Sequence, residues 1–191
     1  MRTAPPTRGP KPTPAIPPEL RDIITESRPE PLTVRGLGGQ GIPRSLQWFQ
    51  RWQFTTFQGG RYLGFRYIGY EEDGYVLVDR RANGQAANLR TGAEPVFSPG
   101  GPYFAAAQMS EMGGNNLEGV ALWEVLPDRT ARRFFSNSLP STFDWRVDRW
   151  ARPDCVILSS VEVGYQIPET QDHERALREA PRRLYMVGAG A

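Results

Sequence analysis

Chemistry-bearing side chains are scarce in this chain. It has one cysteine and one histidine, and Lys11 is its only lysine. A single cysteine excludes an intrachain disulfide and any cysteine-based metal cluster. Cys155 lies in the apolar run 154–158 (DCVIL), where a cysteine ordinarily serves as a small buried hydrophobe. A single histidine excludes zinc sites built on several imidazoles. His173 sits in the hydrophilic stretch ETQDHERALRE, which reads as a solvated helix, and neither Ser nor Cys occurs in a nucleophile motif. No run approaches the ~20 apolar residues of a membrane-spanning helix, so no membrane span is expected. The formal net charge is +2, too small a field to recruit nucleic acid or an anionic surface. The arginine-for-lysine bias is of a bacterial compositional type and is not counted as an RNA-binding signal. No cofactor is expected. Residues 1–18 lack the apolar core of a signal peptide. Read as written, the chain is expected in the cytoplasm, whereas a removed signal would make it periplasmic or secreted.

What the chain does have is turn formers. Glycine and proline number 20 and 18, material for short strands and many corners and poor material for long helices. A strand pair recurs three times. RYLGF (61–65) leads to GYVLVD (74–79), PYFAAAQ (102–108) to GVALWEV (119–125), and DCVILSS (154–160) to RLYMVG (183–188). A recurring unit of this size implies small sheets stacked or arranged radially. The expected fold is mainly β, an antiparallel β-repeat domain, propeller-like or sandwich, with short peripheral helices.

Residues 1–18 carry seven prolines and read as a disordered, polyproline-like tail. Residues 19–191 read as one β-rich domain with units at about 52–92, 93–140 and 141–191. ELRDIITES (19–27) suits a short helix bounded by prolines, with Leu20, Ile23 and Ile24 on one face. GLGGQG (36–41) satisfies G-x-G-x-x-G, but Pro43 interrupts the helix a dinucleotide site needs, which leaves a glycine hinge. EEDG (71–74) between tyrosines and NG at 83–84 are hairpin signals. Thr170 is placed to cap a short helix running through Ala180.

FSPGG (97–101) before an apolar strand, then VALWE (120–124), a turn and TAR (130–132), resembles a blade of the WD40-like or TolB-type β-propellers. Gly100 stands where that pattern has Asp. FDWRVDRW with RPD (143–154) is a degenerate version of the same corner. The resemblance spans roughly 52–191 and implies blade architecture and an interaction scaffold, with no activity attached. Three units are fewer than the four to eight blades of a closed propeller. The remaining routes are extra strands from residues 45–57, self-association that covers the edges, or an open β fold capped by helices.

The segment FDWRVDRW (143–150) is the candidate binding surface. On a regular strand Phe143, Trp145 and Val147 face the core while Asp144, Arg146 and Asp148 face out, and Trp150 lies near the bend. Trp and Arg dominate protein interface hot spots, so Arg146, Asp148, Arg149 and Trp150 are assigned to binding and no residue to catalysis or metal. Trp48, Phe49 and Trp52 form a second aromatic group for the core or an open edge. Two other chemistries have candidate residues. Glu111, Asn115, Asn116 and Glu118 offer oxygen ligands for calcium without EF-hand spacing. Asp144, Asp148 and Asp154 beside Trp145 and Trp150 could build a glycosidase, although arginines 146, 149 and 152 interleave with them. The expected function is a non-enzymatic protein-binding or scaffold module, with a protein partner and self-association into a homo-oligomer as a further route. The alternative is a glycan-binding or glycan-cleaving module using Trp150 and nearby carboxylates.

Overall fold

The computed structural model describes residues 16–26, 32–44, 51–68, 73–109, 117–140, 142–162, 164–166 and 172–189. The chain is mainly β, and every strand pair is antiparallel. Sheet A holds β1 (Ile24–Glu26), β2 (Leu32–Arg35) and β3 (Gly41–Arg44). Sheet B holds β4 (Arg51–Phe57), β5 (Tyr62–Ile68), β6 (Asp73–Asp79) and β7 (Asn88–Arg90). Sheet C holds β8 (Val96–Phe97), β9 (Tyr103–Gln108), β10 (Gly119–Val125) and β11 (Thr130–Ser136). Sheet D holds β12 (Phe143–Arg152), β13 (Cys155–Val161) and β14 (Arg182–Gly188). Each sheet is a meander with its strands in chain order, the arrangement that short polar turns permit.

Sheets B, C and D fall inside the three expected units, and sheet A precedes them. The helix expected over 19–27 is replaced by a single turn at Pro18–Leu20 and then by strand β1. The cause is tertiary. Ile24 pairs with Val34, and Leu20 and Ile24 are buried against sheet B, so the apolar spacing that suits a helix is satisfied by an extended chain. GLGGQG forms the corner between β2 and β3, where the Gly36 N–H donates to the Gln40 carbonyl at 2.7 Å. The helix α1 (His173–Glu179) is capped by Asp172, whose carboxylate accepts from the Arg175 N–H at 2.9 Å. Thr170, the Pro-rich residues 1–15, and Trp48 and Phe49 lie outside the described residues.

Successive sheets share one core per junction. Leu32, Val34 and Ile42 of sheet A pack with Leu63, Phe65 and Val78 of sheet B. Tyr62, Tyr75 and Leu77 use the other face of sheet B to meet Phe104, Ala106, Ala121 and Trp123 of sheet C. Ala105, Ala107, Val120 and Leu122, on the far face of sheet C, meet Trp145, Val156 and Leu158 of sheet D. Sheets B and C are thus apolar on both faces, which explains why their central strands read as unbroken apolar runs rather than alternating ones. The Phe104 and Trp123 rings stack at 5.0 Å, worth ~0.5–1.5 kcal/mol beyond the area they bury. No buried cluster among the described residues joins sheet A to sheet D.

Two glycines have geometric jobs. A Cβ on Gly64 would lie 2.7 Å from ring carbons of Tyr75, so the tyrosine can lie flat across β5 only because residue 64 has no side chain. Gly100, at φ 76°, turns the chain in a left-handed conformation that an aspartate there would adopt less readily.

Polar side chains pin the junctions. Buried Arg80 donates from Nε to the Arg35 carbonyl at 2.7 Å and from Nη1 to the Gly60 carbonyl at 2.6 Å, tying sheet A to sheet B. Between sheets B and C, Arg61 donates from Nε and Nη2 to the two carboxylate oxygens of Asp79 at 3.1 and 3.0 Å. Thr130 donates to the same carboxylate at 2.7 Å, so its hydroxyl proton is committed and Tyr62 is the donor in their 2.8 Å contact.

Candidate functional site on the outer face of sheet D

Sheet D is the last in the series, and its outer face is set by the bulges of β12. This strand makes three register shifts against β13, each inserting a residue and reversing which side chains point outward. Asp144 occupies the first, at φ 52°, a left-handed conformation unusual for a residue with a Cβ. Its carboxylate receives Arg146 at 2.8 Å and Arg182 at 2.7 Å. Arg182 also donates to the Asp144 and Ser159 carbonyls, to the Ser159 hydroxyl at 2.9 Å and to the Leu177 carbonyl of α1 at 3.3 Å. One guanidinium therefore fastens β12, β13, β14 and α1 together.

The second bulge lies between Val147 and Arg149, which pair with the adjacent residues Leu158 and Ile157. Asp148 is the extra residue. Strict alternation from Trp145 and Val147 would turn Arg149 inward and Trp150 outward. The bulge reverses both. Trp150, half-buried, packs with Val147, Val156 and Leu158 against sheet C and donates its indole N–H to the Val96 carbonyl at 3.1 Å. Trp145 is buried beside Tyr185, the ring centroids 4.9 Å apart. Phe143, in register with Val161 across the first bulge, is not a member of that inner cluster.

Of the four residues assigned to binding, the structure puts Arg146 and Arg149 together on the outer face. Asp148 is ion-paired with Arg149, and Trp150 lies on the opposite side. Arg146 pairs in register with Ser159 and Leu184, and Arg149 with Ile157 and Met186. Each of these two arginines thus begins a row that ends at a large apolar side chain on β14. Leu184 is 55% exposed and Met186 73% exposed, the two most exposed large hydrophobics among the described residues. By residue type alone RLYMV is indistinguishable from any closing strand. Its signal was the alternation itself: Tyr185 and Val187 pack inward, which leaves Leu184 and Met186 outward.

The carboxylates weighed for catalysis are engaged elsewhere. Asp144 and Asp148 are ion-paired as described, and Asp154 meets Arg152 at 3.6 Å. Cys155 is buried and His173 begins α1 on the exposed side. Glu71, Glu72, Glu111, Asn115 and Asn116 lie outside the described residues. A cleft of about 430 Å³ between sheets B and C is lined by Leu89, Glu118, Trp123, Arg132 and Phe135 among others. The Arg132 guanidinium lies 5.0 Å over the Phe135 ring there. Among the described residues that line it, Glu118 is the only carboxylate, and none is a serine, cysteine or histidine. Comparison with known protein families, curated proteins and solved structures gives no match.

Proposed function

We propose that this chain is a non-enzymatic protein-binding module that uses the outer face of sheet D, with Arg146, Arg149, Ile157, Leu184 and Met186 as its contact surface. In this reading the four meander sheets serve as successive blades of a propeller-like scaffold, and function resides in the exposed end of the series. The observation that carries it is the outward pair Leu184 and Met186 on the last strand. Contiguous exposed apolar side chains rimmed by charge mark interaction surfaces rather than solvated ones. Arginine beside an apolar strip is a common composition for interface hot spots. Asp148 holds Arg149 in place at the rim, and Trp150 sets the strand against sheet C from behind.

The test is photo-crosslinking in extracts of the source cells, with benzoylphenylalanine at position 186 or, as a control at the other end of the series, at position 35. A protein captured only from position 186 is then purified and its affinity measured for the wild type and for Arg149→Glu/Met186→Lys. The expected loss is ~2 kcal/mol or more, the scale of a hot-spot truncation. Equal affinity of the two forms would remove this face from the account.

A further inference from the structure

β14 has a second property besides its exposed side chains: it is an edge strand of its sheet. Sheet D runs β12-β13-β14, so one edge of β14 meets no strand among the described residues. The other long edge strand of this sheet, β12, is broken by three bulges, a usual way of blunting an edge. β14 has no such device. All seven of its residues pair with β13 in unbroken register, so its free edge is regular along its whole length. Neither proline nor lysine interrupts it. A long regular edge carrying exposed apolar side chains is a template for another strand.

We infer that this edge pairs with the same edge of a second copy of the chain, antiparallel about Tyr185, so that two D sheets join into one. The inference rests on the proposed reading of sheet D as an interaction surface and names one occupant of it. The sequence of β14, RRLYMVG, is self-complementary in this register. Leu184 stands directly opposite Met186 of the second copy, and the two-fold repeats the pair, which gathers four apolar side chains on the outer face. Arg183 stands opposite Val187 and Arg182 opposite Gly188, so no arginine faces an arginine. Arg183 is already paired with Glu162 at 2.6 Å, and Arg182 with Asp144. Only side chains on the same face can stand opposite each other across a two-fold normal to the sheet, so Leu184 cannot face Tyr185. Registers shifted by two in either direction leave part of the seven-residue strand unpaired. The register about Tyr185 alone uses all of it. Directly opposed side chains have Cβ atoms ~4.5–5.5 Å apart, close enough for the four to cover one another.

The experiment is light scattering of the full chain across a concentration series, for the wild type and for Leu184→Lys/Met186→Lys, with circular dichroism confirming that both fold. The expected result is a wild-type mass rising from 21.5 kDa toward twice that value, while the lysine variant stays at the mass of one chain. Register is tested separately in a Cys155→Ala background. Leu184→Cys and Met186→Cys proteins mixed and oxidised should form a disulfide heterodimer, whereas neither alone crosslinks efficiently. A wild type that stays monomeric, a dimer indifferent to the two lysines, or crosslinking that favours either cysteine alone would overturn the pairing. The outcome separates from that of the proposed function. A monomer whose captured protein still distinguishes wild type from Arg149→Glu/Met186→Lys would overturn self-pairing and leave protein binding in place.

Discussion

Arg149 and Trp150 are neighbours in sequence and point to opposite faces of sheet D, and the looped-out Asp148 just before them is what turns Arg149 outward and Trp150 inward. The consequence is a division of labour within one tripeptide. Trp150 holds the sheet to its neighbour and Arg149 meets solvent.

Trp150→Ala should therefore act on stability. The indole is half-buried and its N–H is bonded to the Val96 carbonyl. We expect a loss of about 2 kcal/mol in urea unfolding, below the ~3–5 kcal/mol of a fully buried tryptophan. Arg149→Ala should change unfolding by less than about 0.5 kcal/mol, as exposed positions usually do. A reversal of that order would mean that the bulge does not sort the two side chains as described.

The pair Arg61 and Asp79 should behave as a buried ion pair. Side-chain exposure is 8% and 0%, and the carboxylate accepts from the Arg81 N–H and Thr130 as well as from Arg61. Asp79→Ala strands a guanidinium inside the B–C junction, at a cost of about 3–5 kcal/mol. Thr130→Val removes one donor and should cost about 1–2 kcal/mol. The two should couple strongly in a double-mutant cycle because they share one carboxylate. Additive losses would contradict the shared network.

Gly64→Ala tests the close approach of Tyr75. The added methyl meets ring carbons at 2.7 Å, so the ring or the strand must move, which costs about 1–3 kcal/mol. The Tyr75 hydroxyl lies closer still, so Tyr75→Phe removes the tightest contact but keeps the ring and should recover only part of the loss, whereas Tyr75→Leu should recover more. Thermal denaturation of the three variants decides this.

Alkaline pH should weaken the fold through Tyr62. Burial pushes its phenol from the ordinary value of 10.0 up to about 12. The folded chain thus keeps a proton that the unfolded chain loses near pH 10. The stabilisation is complete below pH 10 and is lost progressively as the pH rises through 12. Burial pushes Tyr75 in the same direction, so the decline is shared. Tyr62→Phe should be less stable than wild type at pH 9 and lose less stability between pH 9 and pH 11.5. A parallel decline in the two proteins would remove Tyr62 from the alkaline response.

The limits of the sequence reading follow from local and non-local signals. The β5–β6 pair was legible because EEDG separates two aromatic strands, and Gly74 duly pairs with Tyr67. The middle unit was legible because Ser98–Gly101 closes as a turn, its N–H to carbonyl bond 2.8 Å long. Sheet A was not. Its strands are three or four residues long, one holds Pro43, and they exist because their apolar side chains find sheet B. At the candidate site the residue types were readable and the facing was not. Alternation assumes a period of two, and the insertion of Asp148 breaks it with nothing in DWRVDRW to announce where. Leu184 and Met186 escaped notice for a related reason. An edge strand and a central strand look alike until the neighbours are known.

The most direct test of the account is hydrogen exchange read by mass spectrometry on dilute and concentrated protein. If the outer face and free edge of sheet D are the contact surface, exchange at high concentration slows in 182–188 and stays unchanged in β2 and β3 of sheet A. Unchanged exchange in 182–188, with protection arising in another sheet, would contradict it.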